Sequence, residues 1–168
     1  MTWIRTRRAR SARIKTLMDD AKRHPLKTDH EAVRSTLKRA MREPGKTGEA
    51  ARKVAALADG HFLREEKFVL PLLAMLPGLA RGEHGAAIAG GQRLAAQLRL
   101  QLEQLQLDHR QISAALHNLA AAAEAEGKSE YVGFAEDFLM HARTEEEVLY
   151  PAAIVAGECV RLMRAAAR

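Results

Sequence analysis

Two segments of the chain, 61–71 and 141–151, share a pattern of residues that could bind a metal ion. Each reads as a histidine, three residues, two glutamates, four residues and a proline, and the second copy follows the first by 80 residues. In a helix, His-x-x-x-Glu places the imidazole and the carboxylate one turn apart on the same face. Both side chains can therefore reach one ion, or two adjacent ions.

A second histidine precedes each segment at nearly the same distance. His30 lies 31 residues before His61, and His109 lies 32 residues before His141. The repeated order indicates an internal duplication, in which each copy is a helix with a histidine followed by a helix with His-x-x-x-Glu. Residues of metal-ligand type therefore stand at matching places in the two copies.

The elements that would position these residues are four amphipathic helices. Hydrophobic residues make up 47% of the 168-residue chain, and there are only five prolines, which is typical of an all-α protein. Apolar residues recur at steps of three and four, and proline, glycine and capping residues mark the ends. The predicted helices run from Thr28 or Asp29 to Glu43, from 47 to 76 with Pro71 as a kink or end, from 92 to 126, and from 129 to 150, where Pro151 bends the chain into a terminal segment ending near Met163. With a glycine-rich loop at 77–91, they predict a four-helix bundle over residues 28–166.

Six polar residues lie within the apolar seams of these helices; the fourth helix, for example, has the seam Phe138, His141, Glu145 and Val148. Burying imidazoles and carboxylates without partners costs several kcal/mol each, so something must satisfy them. A lone seam histidine is usually a satisfied core residue, but six such residues in duplicated register favour a metal centre. Imidazole with carboxylate suits iron, zinc or manganese, whereas calcium and magnesium prefer oxygen ligands. The candidate ligands are His30, His61, Glu65, His109, His141 and Glu145.

Over roughly residues 28–160 the chain resembles the hemerythrin-like, or HHE cation-binding, domain family. The matching pieces are Asp29-His30, His61-x-x-x-Glu65-Glu66 with Pro71, Asp108-His109-Arg110 with Ile112, and His141-x-x-x-Glu145-Glu146 followed by Leu149-Tyr150-Pro151. The resemblance implies an up-down four-helix bundle holding two non-haem irons, bridged by two glutamates and an oxo or hydroxo group. It also implies that the four candidate histidines are terminal ligands and that Glu65 and Glu145 are the bridges.

The chain departs from the oxygen-carrying members of that family at two places. The carriers have a second histidine one turn from the first on the third helix, whereas here Leu105 and Ser113 lie one turn either side of His109. The carriers also use aspartate where this chain has Glu145. One histidine fewer leaves a coordination position open to water, oxygen, nitric oxide or peroxide, which favours sensing or redox reactivity over reversible oxygen carriage.

From these features we expect a non-haem di-iron protein that binds or senses oxygen, nitric oxide, peroxide or iron itself. Two ferrous ions would offer an open position, bind a diatomic molecule or peroxide, and oxidise toward a bridged diferric pair. One alternative is a catalyst that turns over peroxide or repairs nitrosylated iron centres. Another is an interaction protein in which a structural metal, such as a single zinc, holds the bundle together while a protein partner binds elsewhere. Homodimer formation is left open.

The formal charge of +6 conceals a basic N-terminal arm, residues 1–27, on a mildly acidic body. Residues 1–53 carry a net charge of +10 (16 basic, 6 acidic), whereas residues 54–168 carry −4 (11 basic, 15 acidic). Such an arm could contact nucleic acid or an acidic surface. We favour a solvated lead-in or an extra amphipathic helix, since the sequence contains no nucleic-acid-binding motif.

Three features favour a cytoplasmic location. The longest apolar run, 68–80, has 13 residues and two prolines, which is shorter than the roughly 20 residues needed to span a bilayer. The single Cys159 cannot form an intrachain disulfide, which suits a reducing compartment. The basic N-terminal residues lack an apolar core segment, so we expect neither a secretory signal nor a membrane partner.

Other polar residues are secondary candidates. His84 could replace His109 as a ligand if the third helix began early, but the glycines at 85, 90 and 91 argue against a helix there. His117 lies about 80° off the seam at helical pitch, so we expect it to be partly exposed. The acids next to the candidate ligands are expected to support imidazoles, cap helices or lie at the surface. These acids are Glu66, Glu146, Asp29 and Asp108. Two tyrosines, Tyr131 and Tyr150, could also approach the site, but the sequence does not place them.

Overall fold

A computed structural model describes residues 24–83 and 87–166, and over those residues the chain contains helices and turns but no strand. The all-α prediction is therefore confirmed. Residues 1–23 of the predicted arm and His84 lie outside the described residues. The elements are α1 (Pro25–Ala40), α2 (Lys46–Phe68), α3 (Leu70–Leu73), α4 (Leu76–Ala80), α5 (Ala87–Ala125), α6 (Ser129–Thr144), a π-helical segment (Glu145–Leu149) and α7 (Tyr150–Ala166). In the described part of the chain, no helix is both long and apolar enough to cross a membrane.

These elements form the four arms of a bundle. The first arm is α1, the second is α2 with α3 and α4, the third is α5, and the fourth runs through α6, the π-helical segment and α7. Helix α2 packs along α5, α5 packs along α6 and α7, and α1 packs against α2. The bundle is consistent with the hemerythrin-like architecture expected from the sequence.

The core consists of two apolar clusters with a polar layer between them. One cluster lies at the end of the bundle formed by the later parts of α1 and α5 and the earlier parts of α2 and α6, with Phe62 and Leu116 fully buried. The other joins α3, the first half of α5 and α7, with Leu72 and Leu98 fully buried. The predicted ligands fall between the clusters along each arm, so apolar residues enclose them from both ends.

The first and third arms begin earlier than predicted. Helix α1 starts at Pro25 rather than Thr28 or Asp29, with the His24 ring accepting a hydrogen bond from the Leu26 N–H (3.3 Å); a proline suits the first helical position because its missing N–H is not needed there. Helix α5 starts at Ala87, so the prediction of a loop up to residue 91 was wrong. Local helix propensity predicts a loop at these residues, but it takes no account of the packing of α5 against other arms.

Helix α1 also ends earlier than predicted, at Ala40 rather than near Glu43. Gly45 then has a φ of +81°, a conformation in which glycine is strongly favoured, and α2 begins at the next residue. The Glu126 carboxylate, at the end of α5, accepts hydrogen bonds from the backbone N–H groups of Lys46 and Thr47 and from the Thr47 hydroxyl (2.7, 3.3 and 2.7 Å). A side chain from another arm therefore caps α2.

The second arm breaks into three pieces, whereas the sequence predicted one helix from 47 to 76 with Pro71 as a kink or end. Helix α2 ends at Phe68, and Pro71 lies at the start of α3. Proline lacks the N–H that a continuous helix needs and its ring crowds the preceding turn. Pro71 therefore ends α2 shortly beyond Glu65, which leaves that carboxylate in the last regular turns.

The fourth arm contains a π-helical turn that the sequence analysis did not predict. The Tyr150 N–H donates to the Glu145 carbonyl, five residues earlier, and Pro151 follows directly. The wider turn inserts one extra residue and rotates the chain beyond it. Val148, predicted in the seam, is consequently 55% exposed, whereas Tyr150 is buried.

Candidate metal centre

The bundle brings all six sequence-predicted ligand residues to one place between the two apolar clusters. They come from all four arms: one histidine each from α1 and α5, and a histidine with a glutamate from each of the other two arms. Five of the six are buried, and His141, with its side chain 17% exposed, lies at the edge. Those five are His30, His61, Glu65, His109 and Glu145.

The Glu145 carboxylate extends between two groups of histidines. Its Oε1 atom lies 2.9 Å from Nε2 of His141 and 3.5 Å from Nε2 of His30. Its Oε2 atom lies 3.3 Å from Nε2 of His109. One carboxylate therefore faces imidazoles from three different arms.

The Glu65 carboxylate occupies the centre of the same layer. Its Oε2 atom lies 3.1 Å from Nε2 of His30 and 3.4 Å from Nε2 of His61. Its Oε1 atom accepts a 2.5 Å hydrogen bond from the Tyr150 hydroxyl. Two sets of donors can each converge on one point, since the ligand atoms within a set lie within 4.8 Å of one another. The first set is His61, Glu65, His109 and Glu145, and the second is His30, His141 and Glu145.

Several buried polar atoms of the cluster make no hydrogen bond within the described residues. Three of these atoms, Glu65 Oε2, Glu145 Oε2 and His141 Nε2, face imidazole or carboxylate atoms at 2.9–3.4 Å without hydrogen-bond geometry. A buried polar atom without a partner costs about 1–3 kcal/mol, and a cation between the facing atoms would satisfy these three together. The donor set therefore fits a transition metal. The unpaired atoms are His30 Nδ1, His61 Nδ1, Glu65 Oε2, His141 Nε2 and Glu145 Oε2.

A second layer of acids lies behind three of the four imidazoles. Nδ1 of His109 is 3.0 Å from Oε1 of Glu146, and Nδ1 of His61 is 3.5 Å from Oδ2 of Asp108. Glu66 approaches Nδ1 of His30 at 3.6 Å. A carboxylate in that position orients the ring and raises its basicity as a ligand. Asp29, a candidate for such support, is exposed and contacts no site imidazole in the described part of the chain.

Cations hold two of these outer acids in their charged form. Asp108 accepts hydrogen bonds from Arg64 (3.0 and 2.5 Å) and Gln104 (2.8 Å). Glu66 accepts from Lys27 (2.5 Å) and Arg34 (3.0 Å). Burial alone would raise the pKa of each acid, but these donors lower the pKa of both below the ordinary value.

The facing acids and bases of the cluster shift one another's pKa. Burial of the His30 ring works toward a lower pKa, but the carboxylates of Glu145 and Glu65 outweigh it and raise the pKa to about 9. The pKa of His109 is also raised, against burial, chiefly by Glu145. Conversely, the imidazoles lower the pKa of Glu145 and Glu65 despite the burial of both carboxyls. The layer therefore keeps its carboxylates ionised opposite positive charge.

Tyr150 is a site residue that the sequence analysis could not place. Besides its bond to Glu65, its hydroxyl lies 3.3 Å from Nε2 of His109, and its ring stacks on that imidazole. The equivalent position in the first copy of the repeat is Leu70, so the duplication carried no signal for a polar group here. Tyr131, by contrast, bonds to Glu43 away from the site (3.2 Å), and His117 is exposed.

Comparison with known proteins gives one match. The family model described as "Hemerythrin HHE cation binding domain" matches residues 21–153. No curated protein and no solved structure matches the chain.

Proposed function

This chain belongs to the hemerythrin HHE cation-binding domain family, and we propose that it is a non-haem di-iron protein that binds or senses a small ligand such as oxygen, nitric oxide or peroxide. The observation that supports this most directly is the position of Glu145. Its two oxygens face histidines from three arms, and it belongs to both sets of converging donors. A carboxylate shared by two donor sets can hold a pair of adjacent ions, one with each oxygen.

In this proposal the six converging residues hold the ions and their surroundings tune them. His30, His61, His109 and His141 supply nitrogen, and Glu65 and Glu145 supply oxygen. Iron in such a site contributes reversible redox chemistry and a coordination position for a small ligand. The outer acids fix the orientation of the imidazoles, and the apolar clusters at both ends limit the entry of water.

Sensing or reactivity is favoured over oxygen carriage because the site has four histidines. The two positions one turn from His109 are occupied by Leu105, buried in the core, and by Ser113. Neither can supply a further imidazole. A pair of ions held by these residues therefore retains room for an exogenous ligand.

The proposal is tested by measuring metal content and the absorption spectrum, in air and after anaerobic reduction. We expect about two irons per chain, and near-ultraviolet bands that bleach on reduction and return with oxygen or peroxide, whereas nitric oxide bound to the reduced site should give a different spectrum. A chain that as purified holds a single zinc, or that holds no metal and takes up no iron although its helical fold is intact, would contradict it. That outcome would favour the alternative of an interaction protein with at most a structural metal.

A solvent-facing groove supports peroxide turnover as a second candidate function. The groove has a volume of about 440 Å³, lies between α5 and α6, and reaches His109 and Glu146 from the surface. The small side chains of Ser113, Ala114 and Ala142 line it. Catalysis predicts that the iron-loaded protein consumes many equivalents of peroxide per chain, whereas a sensor stops after stoichiometric oxidation.

A further inference from the structure

One side of the fourth arm of the bundle exposes a line of apolar side chains. Val148, Val155 and Leu162 are 55%, 64% and 57% exposed. They are seven residues apart, which in a helix places them on the same side, about two turns from one another. Single exposed apolar residues are ordinary, but a line at this spacing is typical of a face that packs against another helix. We call this line, with the half-buried Ala152 and Cys159 between its members, the apolar stripe.

We propose that the basic N-terminal arm covers the apolar stripe, with the apolar face of residues 14–21 packed on it. A helix over those eight residues would be about 12 Å long, close to the roughly 10 Å between Val155 and Leu162 along α7. Its apolar residues recur at steps of three and four, so they would share one face. They are Ile14, Leu17, Met18 and Ala21. The proposal holds whichever metal the central site binds.

The N-terminal arm joins the bundle beside the start of α7. Near the end of α1, Arg39 bonds to Glu130 at the start of α6 (2.6 Å). Near the beginning of α1, Leu26 is buried in the same apolar cluster as Ala153 of α7. The first and fourth arms of the bundle therefore run antiparallel, and the chain that precedes α1 continues from beside the first turns of α7.

The first arm of the bundle begins too late to accompany α7 along its length. Helix α7 packs against α5, α3 and α4. Helix α1 starts only at Pro25, so within the described ranges it runs beside α6 and reaches no further than the start of α7. His24 has an extended backbone (φ −66°, ψ 138°), so the chain changes direction there. The residues before His24 can therefore leave the axis of α1 and occupy the place beside α7.

A second copy of the chain fits the apolar stripe less well than the N-terminal arm does. A stable dimer buries about 800 Å² per partner, over roughly 20–30 residues a side. The stripe is a single line of side chains, and beside it Glu158 and Arg161 bond to each other (2.7 Å). A segment of the same chain is present at a high effective concentration. A contact too narrow for a dimer is therefore sufficient for the N-terminal arm.

The test uses Cys159, the single cysteine of the chain, as a reporter of whether the stripe is covered. The rate of its alkylation is measured on the dilute full-length chain. We expect Leu17→Asp to raise that rate about tenfold or more, because an unpaired charge is not tolerated in an apolar contact. Thr16→Asp is the control, since it adds the same charge about 150° from the centre of the apolar face. Its rate should match that of the unsubstituted chain.

Equal alkylation rates in all three chains would overturn the proposal. A dimer in sedimentation experiments that Val155→Asp dissociates would also overturn it, because a second copy would then cover the stripe. Circular dichroism verifies that the bundle is folded. If Leu17→Asp perturbs the bundle, mild oxidation of Leu17→Cys decides. A disulfide to Cys159 within one chain should form in higher yield than with Thr16→Cys, and equal yields would contradict the proposal.

Discussion

At the scale of single residues, Tyr150 contacts both a glutamate and a histidine of the site. Its hydroxyl donates to Glu65 and lies close to His109, whose ring it stacks upon. Burial, together with the charges of Glu65 and Glu145, raises the pKa of Tyr150 above its ordinary value, so the phenol stays protonated in the chain as described. It therefore acts as a donor that holds one oxygen of Glu65 while the other oxygen faces histidines.

Replacing Tyr150 with phenylalanine should destabilise the metal-free protein. The buried Glu65 carboxylate would lose a 2.5 Å hydrogen bond, and hydrogen bonds to charged groups contribute about 1.5–3 kcal/mol. Urea denaturation of the metal-free chain measures the free energy of unfolding. The matched control is Tyr131→Phe, where the lost partner, Glu43, is 32% exposed and can bond to water instead. Equal losses in the two variants would contradict a special role for Tyr150.

At the scale of elements, close contact between helices overrides local propensity where the fourth arm crosses the third. A Cβ at Gly157 in α7 would lie 2.2 Å from the Cβ of Ala95 in α5, and a Cβ at Gly91 would lie 2.7 Å from Met75. These glycines lower helix propensity but permit the close approach of α5 to α7 and to Met75 of the second arm.

Substitution of Gly157 by alanine should lower the free energy of unfolding by up to about 2 kcal/mol, because overpacking costs about 1–3 kcal/mol whereas the gain in helix propensity is about 1 kcal/mol. Gly133 in α6 is the control, since nothing lies within 4 Å of a Cβ there. Gly133→Ala should stabilise the chain by up to about 1 kcal/mol. Thermal and urea denaturation measure both, and stabilisation by both substitutions would show that the α5–α7 approach tolerates a methyl group.

The cap that Glu126 places on α2 should make stability depend on pH. Hydrogen bonds from Thr47, Lys128 and the Lys46 backbone lower the pKa of Glu126 to about 2. A depressed pKa means that the contribution is present above the ordinary value of 4.5 and is lost as the pH falls from there toward 2. Glu126→Gln should therefore flatten part of the fall in stability over that range.

The measurement is the difference in free energy of unfolding between Glu126→Gln and the unsubstituted chain, followed from pH 6 downward. We expect the difference to shrink as Glu126 becomes protonated in the unsubstituted chain. Glu124→Gln, at an exposed position on the same helix, serves as the control and should show no such trend. A difference that does not change with pH would mean that the carboxylate charge is not what caps α2.

At the scale of the whole molecule, the site joins all four arms of the bundle. Each arm contributes at least one converging residue, and the layer lies between two separate apolar clusters. An ion bound in that layer would contact residues of all four arms, whereas most other contacts join two arms at a time. Binding there should therefore be coupled to the stability of the entire bundle.

Removal of metal should lower the melting temperature of the chain without abolishing its helical structure. An ion that binds only the folded state stabilises it by about 2.7 kcal/mol when the free ion is at 100 times its dissociation constant. Circular dichroism melts with anaerobic Fe(II) and with a chelator measure the shift. H30A/H109A removes one histidine from each of the two sets of converging donors, so its melting temperature should not respond to Fe(II). A response equal to that of the unsubstituted chain would place the metal elsewhere.

The sequence alone determined the fold class and identified the six candidate ligands. Both follow from information that is local or repeated: a step of three and four residues assigns a face of a helix, and the duplication places His30, His61, His109 and His141 at matching positions. The family resemblance added the expectation of a two-ion site. The structure brings all six residues together between the apolar clusters.

Only the tertiary structure decided which side chains meet across the bundle. The inward position of Tyr150 depends on a π-helical turn, and another arm approaches closely at Gly91 and at Gly157. The contact between His61 and His109, rather than one within a sequence copy, depends on which arms are adjacent. Helical periodicity specifies the face that a residue occupies, but the partner opposite that face is set by packing between segments far apart in the chain.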